Sequence, residues 1–267
     1  MSALSYAVTD STTMLRRNLR RLTRYPSLTL MLIGMPIVFL LLFVYVFGGQ
    51  LGAGLSHQLN AGHTGRSRYL NYLTPGIMLM TVAAAVQGTA IVVAMDMTGG
   101  IIDRFRTMPI ARASVLTGHV LASMIQTLLS IAVVLGVAIA LGFRPAANAA
   151  DWLGVLGVVL LFAFALIWLA TALGLAAKSV ETASNTPMFL TLLPFLGSGF
   201  VPASTMPVGL RQFATYQPFT PVTETLRALL TGTQVGDNAT LAIAWCVGIA
   251  LASYIWARHL YSHRGAR

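Results

Sequence analysis

Charge is scarce in this chain, and acid is scarcer. Only 9% of its 267 residues are Asp, Glu, Lys or Arg, and just seven of these are acidic. A soluble domain carries about 25% charged residues, so there is too little charge here to cover a water-facing surface. Lysine occurs once, at Lys178, and cysteine once, at Cys246, which excludes a disulfide within the chain. There is no HExxH, no CxxC and no clustering of the five histidines with carboxylates, so no metal site or catalytic constellation is expected. A phosphate-cradling loop is missing too. Gly174 to Ser179 reads "GLAAKS", whose Lys-Ser pair lacks the preceding glycine and closes an apolar run. ATP hydrolysis by that route is excluded.

What the chain does have is apolar length. Five runs contain none of the four charged residue types: Leu28 to Phe47, about Leu73 to Met95, Val115 to Leu141, Trp152 to Ala177, and about Ala239 to Ala257. About 20 apolar residues span a bilayer core of roughly 30 Å, so each is a candidate transmembrane helix. Gly34 and Pro36 predict a kink in the first, which begins too late and runs too long for a signal peptide. A further run, the fifth in chain order, is Pro187 to Val201, which has only 15 residues, but a helix starting at Ala183 would have 19 and would just reach. Between the first two runs lies Gly48 to Asn71, including "GGQLGAG", which reads as a flexible polar loop and not as a nucleotide site. Cys246 falls inside the last run.

The formal net charge is +10, carried almost wholly by arginine. Because the arginines flank the apolar runs and form no patch or stripe, lipid headgroups are the expected partner and nucleic acid is not. In Asp10 to Tyr25, Asp10 or Ser11 can cap a helix, and Met14, Leu15, Leu19 and Leu22 share one face. Arg16, Arg17, Arg20, Arg21 and Arg24 fill much of the remainder, the pattern of an interfacial helix with its arginines toward phosphates. With six spans and both termini cytoplasmic, 12 basic residues lie inside and 5 outside, as the positive-inside rule asks. Were the fifth segment not to cross, the three arginines of the tail would lie outside. Six spans are therefore expected.

The stretch Gly99 to Ala113, "GGIIDRFRTMPIARA", interrupts two long apolar runs. Ile101, Ile102, Phe105 and Met108 recur at helical spacing, and Asp103 can pair with Arg106 at i,i+3. Pro109 disfavours helix at Met108 and ends the element. A short amphipathic helix at the inner membrane face explains the pattern. So does a docking element through which a partner moves the membrane domain. Past Val201 the prolines leave room for two short helices, Pro207 to Tyr216 and Pro221 to Leu230, each with Pro at its first position. In the second, Thr220 can cap and Glu224 faces Arg227 at i,i+3.

"GGIIDRFRTMPIARASVLTGHVL", "YLTPGIMLMT" and "YQPFTPVTETLRALLTG" together resemble the ABC-2 type permeases of the daunorubicin-resistance (DrrB-like) exporter group. The resemblance implies an all-α polytopic fold of six transmembrane helices, with an N-terminal interfacial helix and short re-entrant helices before the last span. Its parts would be residues 1–27 as interfacial helix, 28–257 as transmembrane domain and 258–267 as cytoplasmic tail. Within the domain, a coupling helix would occupy about 99–109 and outer re-entrant helices about 203–232. It further implies a homodimer in the bacterial plasma membrane, paired with two copies of a separate ATPase that binds ATP and Mg, and exporting an amphipathic drug-like or lipid-like compound. Gly100, Ile101, Ile102, Asp103, Arg104, Phe105, Arg106 and Pro109 would then contact the ATPase, and Pro221, Glu224 and Arg227 would belong to the outer re-entrant element.

Residues of the path are less marked. His119, Ser123, Gln126, Thr127 and Ser130 form one polar stripe on the third run, which fits helix packing at least as well as a conduit. A path between protomers, on the second and fifth runs, would favour Gln87, Thr191 and Phe195, with Gln126 as a further candidate. The runs contain none of the buried carboxylates that ion-coupled transporters use, which weighs against a secondary drug transporter. A membrane enzyme acting on lipids would need an acid–base or metal cluster, and none is seen.

Overall fold

The computed structural model describes residues 3–24, 26–56, 65–99 and 112–263, with side chains for 10–20, 29–53, 65–99 and 116–261. All regular structure among them is helical. Helix α1 covers Ala3–Arg24. Helix α2, Pro26–Leu42, passes through one wide π-helical turn at Phe43–Phe47 into α3, Gly48–Ser56. Then follow α4 (Gly65–Thr98), α5 (Arg112–Ala140) and α6 (Ala149–Ala176). Two short helices, α7 (Val180–Asn185) and α8 (Met188–Leu192), precede α9 (Val208–Tyr216), α10 (Phe219–Thr231) and α11 (Asn238–His263). Five stretches among the described residues are long and apolar enough to cross a membrane: 29–53, 65–98, 116–140, 149–176 and 238–261.

Helix α4 is the hub. Helices α2, α3, α5, α6, α7, α8 and α10 all pack on it, and Leu73, Ile77, Val82, Val86 and Val93 along its length are fully buried. At 34 residues it is about 50 Å long, more than the bilayer core requires. The peripheral helices turn apolar side chains outward, with Leu30, Val46 and Ile255 two-thirds exposed, as a lipid-solvated surface allows. Buried hydroxyls bond within their own helices: Thr74 donates to Leu70 O, Thr81 to Ile77 O and Thr171 to Ile167 O.

Several elements depart from the sequence reading. "GGQLGAG" is no flexible loop: helix continues through Ser56 and resumes at Gly65. A Cβ on Gly52 would lie 1.9 Å from the Gly65 carbonyl oxygen, so these glycines let α3 and the start of α4 touch backbone to backbone. Helix α1 starts at Ala3, which leaves Asp10 and Ser11 inside it and not at its cap. Helix α10 starts at Phe219 behind Pro218, so Thr220 is not its cap and Pro221 is its third residue. Pro221 is still tolerated there, since N–H groups of a first turn have no acceptor within the helix. Likewise Pro207 stands at the cap of α9, not at its first position.

The fifth apolar segment is the largest departure. In place of one helix from Ala183, the chain forms α7 and α8 and then turns through 193–200. Pro187 and Pro194 each remove an N–H donor, and Gly197 and Gly199 add backbone freedom, so a helical ladder cannot run through. Buried backbone outside a helical ladder needs partners from elsewhere. Here Gln217 Nε2 donates to Leu193 O at 3.0 Å, Tyr72 Oη to Ser198 O at 2.8 Å and Tyr69 Oη to Phe200 O at 3.2 Å. The segment also travels along α4. Ala183 packs with Ala94 and Ala177, near one end, while Ser198 and Phe200 bond tyrosines near the other.

Candidate functional site

The two ends of α4 each carry a polar cluster. At the C-terminal end, Asp96 is 2% exposed and pairs with Arg17 of α1, while His119 Nε2 of α5 lies 3.3 Å from Asp96 Oδ2. A carboxylate in the last turn of a helix faces the unpaired carbonyls and the negative end of the helix dipole, and burial adds a desolvation cost. A cation from another element is what makes it tolerable. Around the pair α1 lies flat on α5: Met14 is buried, and a Cβ on Gly118 would come within 2.6 Å of Met14 Cβ. Three elements thus meet at one ion pair.

Sequence reasoning missed this cluster. The second run ended at Met95, which left Asp96 outside the spans, whereas Asp96 lies within α4 and is buried. The reading that the spans hold no buried carboxylate is corrected accordingly. Arg17, expected to face phosphates, turns inward, while Arg16 and Arg20 stay exposed. Arg21 and Arg24 have side chains outside the described residues. The available signal was a lone acid closing a long uncharged run in a chain with only seven acids.

At the other end, Arg227 of α10 holds three elements. Its Nη2 donates to Tyr72 O at 3.2 Å and to Ser198 O at 2.8 Å, its Nη1 pairs with Glu224, and its guanidinium carbon lies 3.8 Å from the Tyr72 ring centroid. The expected Glu224–Arg227 pair is therefore present. Ser198 N donates to Thr220 Oγ1 at 3.2 Å. Close backbone approach accompanies these bonds, since a Cβ on Gly76 would sit 2.4 Å from Gly199 O. Two motifs far apart in sequence, "YLTPG" and "FTPVTETLR", meet around the "LGSGF" turn. Pro221 is buried beside them.

The candidate path residues have internal partners. Gln87 Nε2 donates to Ser184 O at 3.1 Å, tying α4 to α7, and Gln126 Nε2 donates to Thr29 Oγ1 at 3.0 Å, tying α5 to α2. Thr191 Oγ1 donates to Met188 O. Phe195 stacks on Phe200 with centroids 4.5 Å apart, and Phe200 meets Phe43 at 4.9 Å. The polar stripe on α5 is largely satisfied, with Thr127 donating to Ser123 O and Ser130 to Gln126 O. Gly100, Ile101, Ile102, Asp103, Arg104, Phe105, Arg106 and Pro109, expected to contact a partner, lie outside the described residues.

A bundle of long apolar helices, with polar joints at both ends of its central helix and no grouping of metal-binding side chains among the described residues, defines a multi-pass membrane protein. The chain belongs to the ABC-2 type transporter family, whose model matches residues 9–231. It is 26% identical over 265 residues to the daunorubicin resistance ABC transporter permease protein DrrB1 of Streptomyces coeruleorubidus, covering 99% of this chain and 90% of that one. To the probable doxorubicin resistance ABC transporter permease protein DrrC of Mycobacterium tuberculosis it is 26% identical over 246 residues, covering 90% of this chain and 84% of the relative. The chain is the permease subunit of an ABC-2 type exporter. Such a permease has no ATPase site of its own, and ATP is hydrolysed by a partner subunit. The ion-coupled and lipid-enzyme alternatives fall with that assignment.

Proposed function

We propose that this permease exports an amphipathic compound, drug-like before lipid-like, as one half of a homodimer driven by two copies of a separate ATPase. The reading is carried by the Arg17–Asp96 pair. It fastens an arginine-rich amphipathic helix to α4, and His119 brings in α5, just where the "GGIIDRFRTMP" stretch joins those two helices. A partner that pushes on that stretch moves α1, α4 and α5 together. The daunorubicin and doxorubicin resistance in the relatives' names favours a drug over a lipid.

Six crossings with both termini cytoplasmic fit this arrangement. The broken segment moves from the level of Ala94 to that of Tyr72, 22 residues or about 33 Å along α4, and so serves as the fifth crossing. The Asp96 end then faces the cytoplasm and the Arg227 end faces outward, with α9 and α10 as the outer elements. Gln87 on α4 and Thr191 and Phe195 on the broken segment line the route between protomers, and Gln126 a lesser flank. The Gly100 to Pro109 stretch serves as the docking element for the ATPase, and the exposed Arg16 and Arg20 of α1 rest on headgroups.

The test is co-purification with an ABC-type ATPase subunit from the same genome, followed by daunorubicin uptake into inverted vesicles. A stable complex with ATP-dependent uptake is expected. Absence of a complex, or uptake that continues without ATP, would overturn the reading. Within that complex Arg106→Glu should insert normally yet lower uptake at least tenfold, and unchanged uptake would remove the docking role.

A further inference from the structure

We infer that Arg227 is a positioning residue that clamps the 193–200 turn shut at the Tyr72 end of α4, and that each export cycle must release the clamp. The inference rests on the export reading above and adds to it the residue that does the closing. The turn has little helical ladder of its own. Its backbone is held by side chains reaching in from α4, from Gln217 just before α10, and from α10 itself: Tyr69 on Phe200 O, Tyr72 on Ser198 O, Gln217 on Leu193 O and Thr220 on Ser198 N. Bonds of this kind can be exchanged without unwinding a helix.

Arg227 is the group that joins both sides. One planar guanidinium bonds a carbonyl of α4 and a carbonyl of the turn, pairs with Glu224 and stacks on Tyr72. A planar fork presents spaced N–H groups to these partners and a flat face to the Tyr72 ring, whereas an ammonium offers one compact charge with no face to stack. A second observation points to movement. Ser198 Oγ and Gln217 Oε1, both buried in this cradle, have no hydrogen-bond partner. Buried polar atoms are nearly always paired, so the closed turn leaves bonding capacity that another arrangement can use. The turn also carries Phe200, stacked on Phe195 and against Phe43. Swinging it away would part the Phe43–Phe200 contact between the π-helical turn after α2 and the broken segment.

The test uses the full permease with its ATPase partner in a Cys246→Ala background. Ser198→Cys places a thiol at a buried position, and a membrane-impermeant maleimide added to intact cells reads its exposure. With Arg227 present and no drug added, the thiol should be protected. Arg227→Ala and Arg227→Lys should each raise its labelling rate at least tenfold, while Glu224→Gln, which keeps an acceptor, should stay within about twofold. Ser253→Cys, buried in α11, is the folding control and should stay protected in Arg227→Ala. The same variant should hydrolyse at least five times more ATP per daunorubicin exported. Unchanged labelling at Ser198→Cys, or an equal rise at Ser253→Cys, would overturn the clamp. A rise confined to inverted vesicles would support the clamp and overturn the orientation behind the export reading.

Discussion

Asp96 shows how a single residue can be costly and still be placed. It is buried in the last turn of α4, where the helix dipole repels it, and Arg17 offsets that repulsion from another helix. The two partners are not equivalent. Asp96 has 2% of its side chain exposed and Arg17 has 33%, so removing the arginine takes a cation away from a buried carboxylate, while removing the acid leaves a charge that water can reach. Arg17→Ala should therefore destabilise the permease by about 3 kcal/mol, and Asp96→Asn by clearly less. Thermal inactivation in detergent would show the asymmetry, and combining the two should restore much of the loss. Equal effects of the single changes, or a strictly additive double, would mean that the pair contributes little. Arg17 also marks the limit of a composition argument. Five arginines on one amphipathic helix look alike in sequence, and only packing against α4 and α5 singles out this one.

At the scale of elements, glycine and proline decide where helices break and where they touch. Gly76 stands against Gly199, and a methyl group there would lie 2.4 Å from a backbone oxygen that cannot move aside. Gly88, three turns further along the same helix, has nothing within 4 Å. Gly76→Ala should lower stability by about 1–3 kcal/mol through overpacking, while Gly88→Ala should leave it unchanged within about 0.5 kcal/mol. Yield and melting of the two purified variants measure the contrast, and indistinguishable behaviour would discredit the close approach. Five long helices and the short α9 and α10 were legible from apolar runs and proline positions. The broken segment was not, because Pro187 and Pro194 permit either a kinked helix or a turn. The side chains that favour the turn, Tyr69, Tyr72, Gln217 and Arg227, come from distant parts of the chain. The glycines after Phe47 misled for a related reason: in sequence they signal looseness, whereas beside a second helix backbone they allow contact.

For the whole molecule, the proposed six crossings would place Arg20 and Arg258 on one side and Asp237 on the other. Single cysteines at these exposed positions, in a Cys246→Ala background, should sort accordingly. Asp237→Cys should react with an impermeant maleimide in intact cells, and Arg20→Cys and Arg258→Cys only in inverted vesicles. Labelling of Arg20→Cys and Arg258→Cys from opposite sides would leave an odd number of crossings. Composition alone determined that this chain lives in a membrane, that it is helical and that it lacks an ATPase site. Those conclusions depend on charge, hydropathy and missing motifs, which are properties of the chain read locally. Tertiary structure decided which charge is buried, which apolar segment breaks and which residues meet at each end of α4. Asp96 and Arg17 are 79 positions apart, and Tyr72 and Arg227 are 155 apart. No local pattern reports such pairs, because each exists only once packing has brought distant elements together.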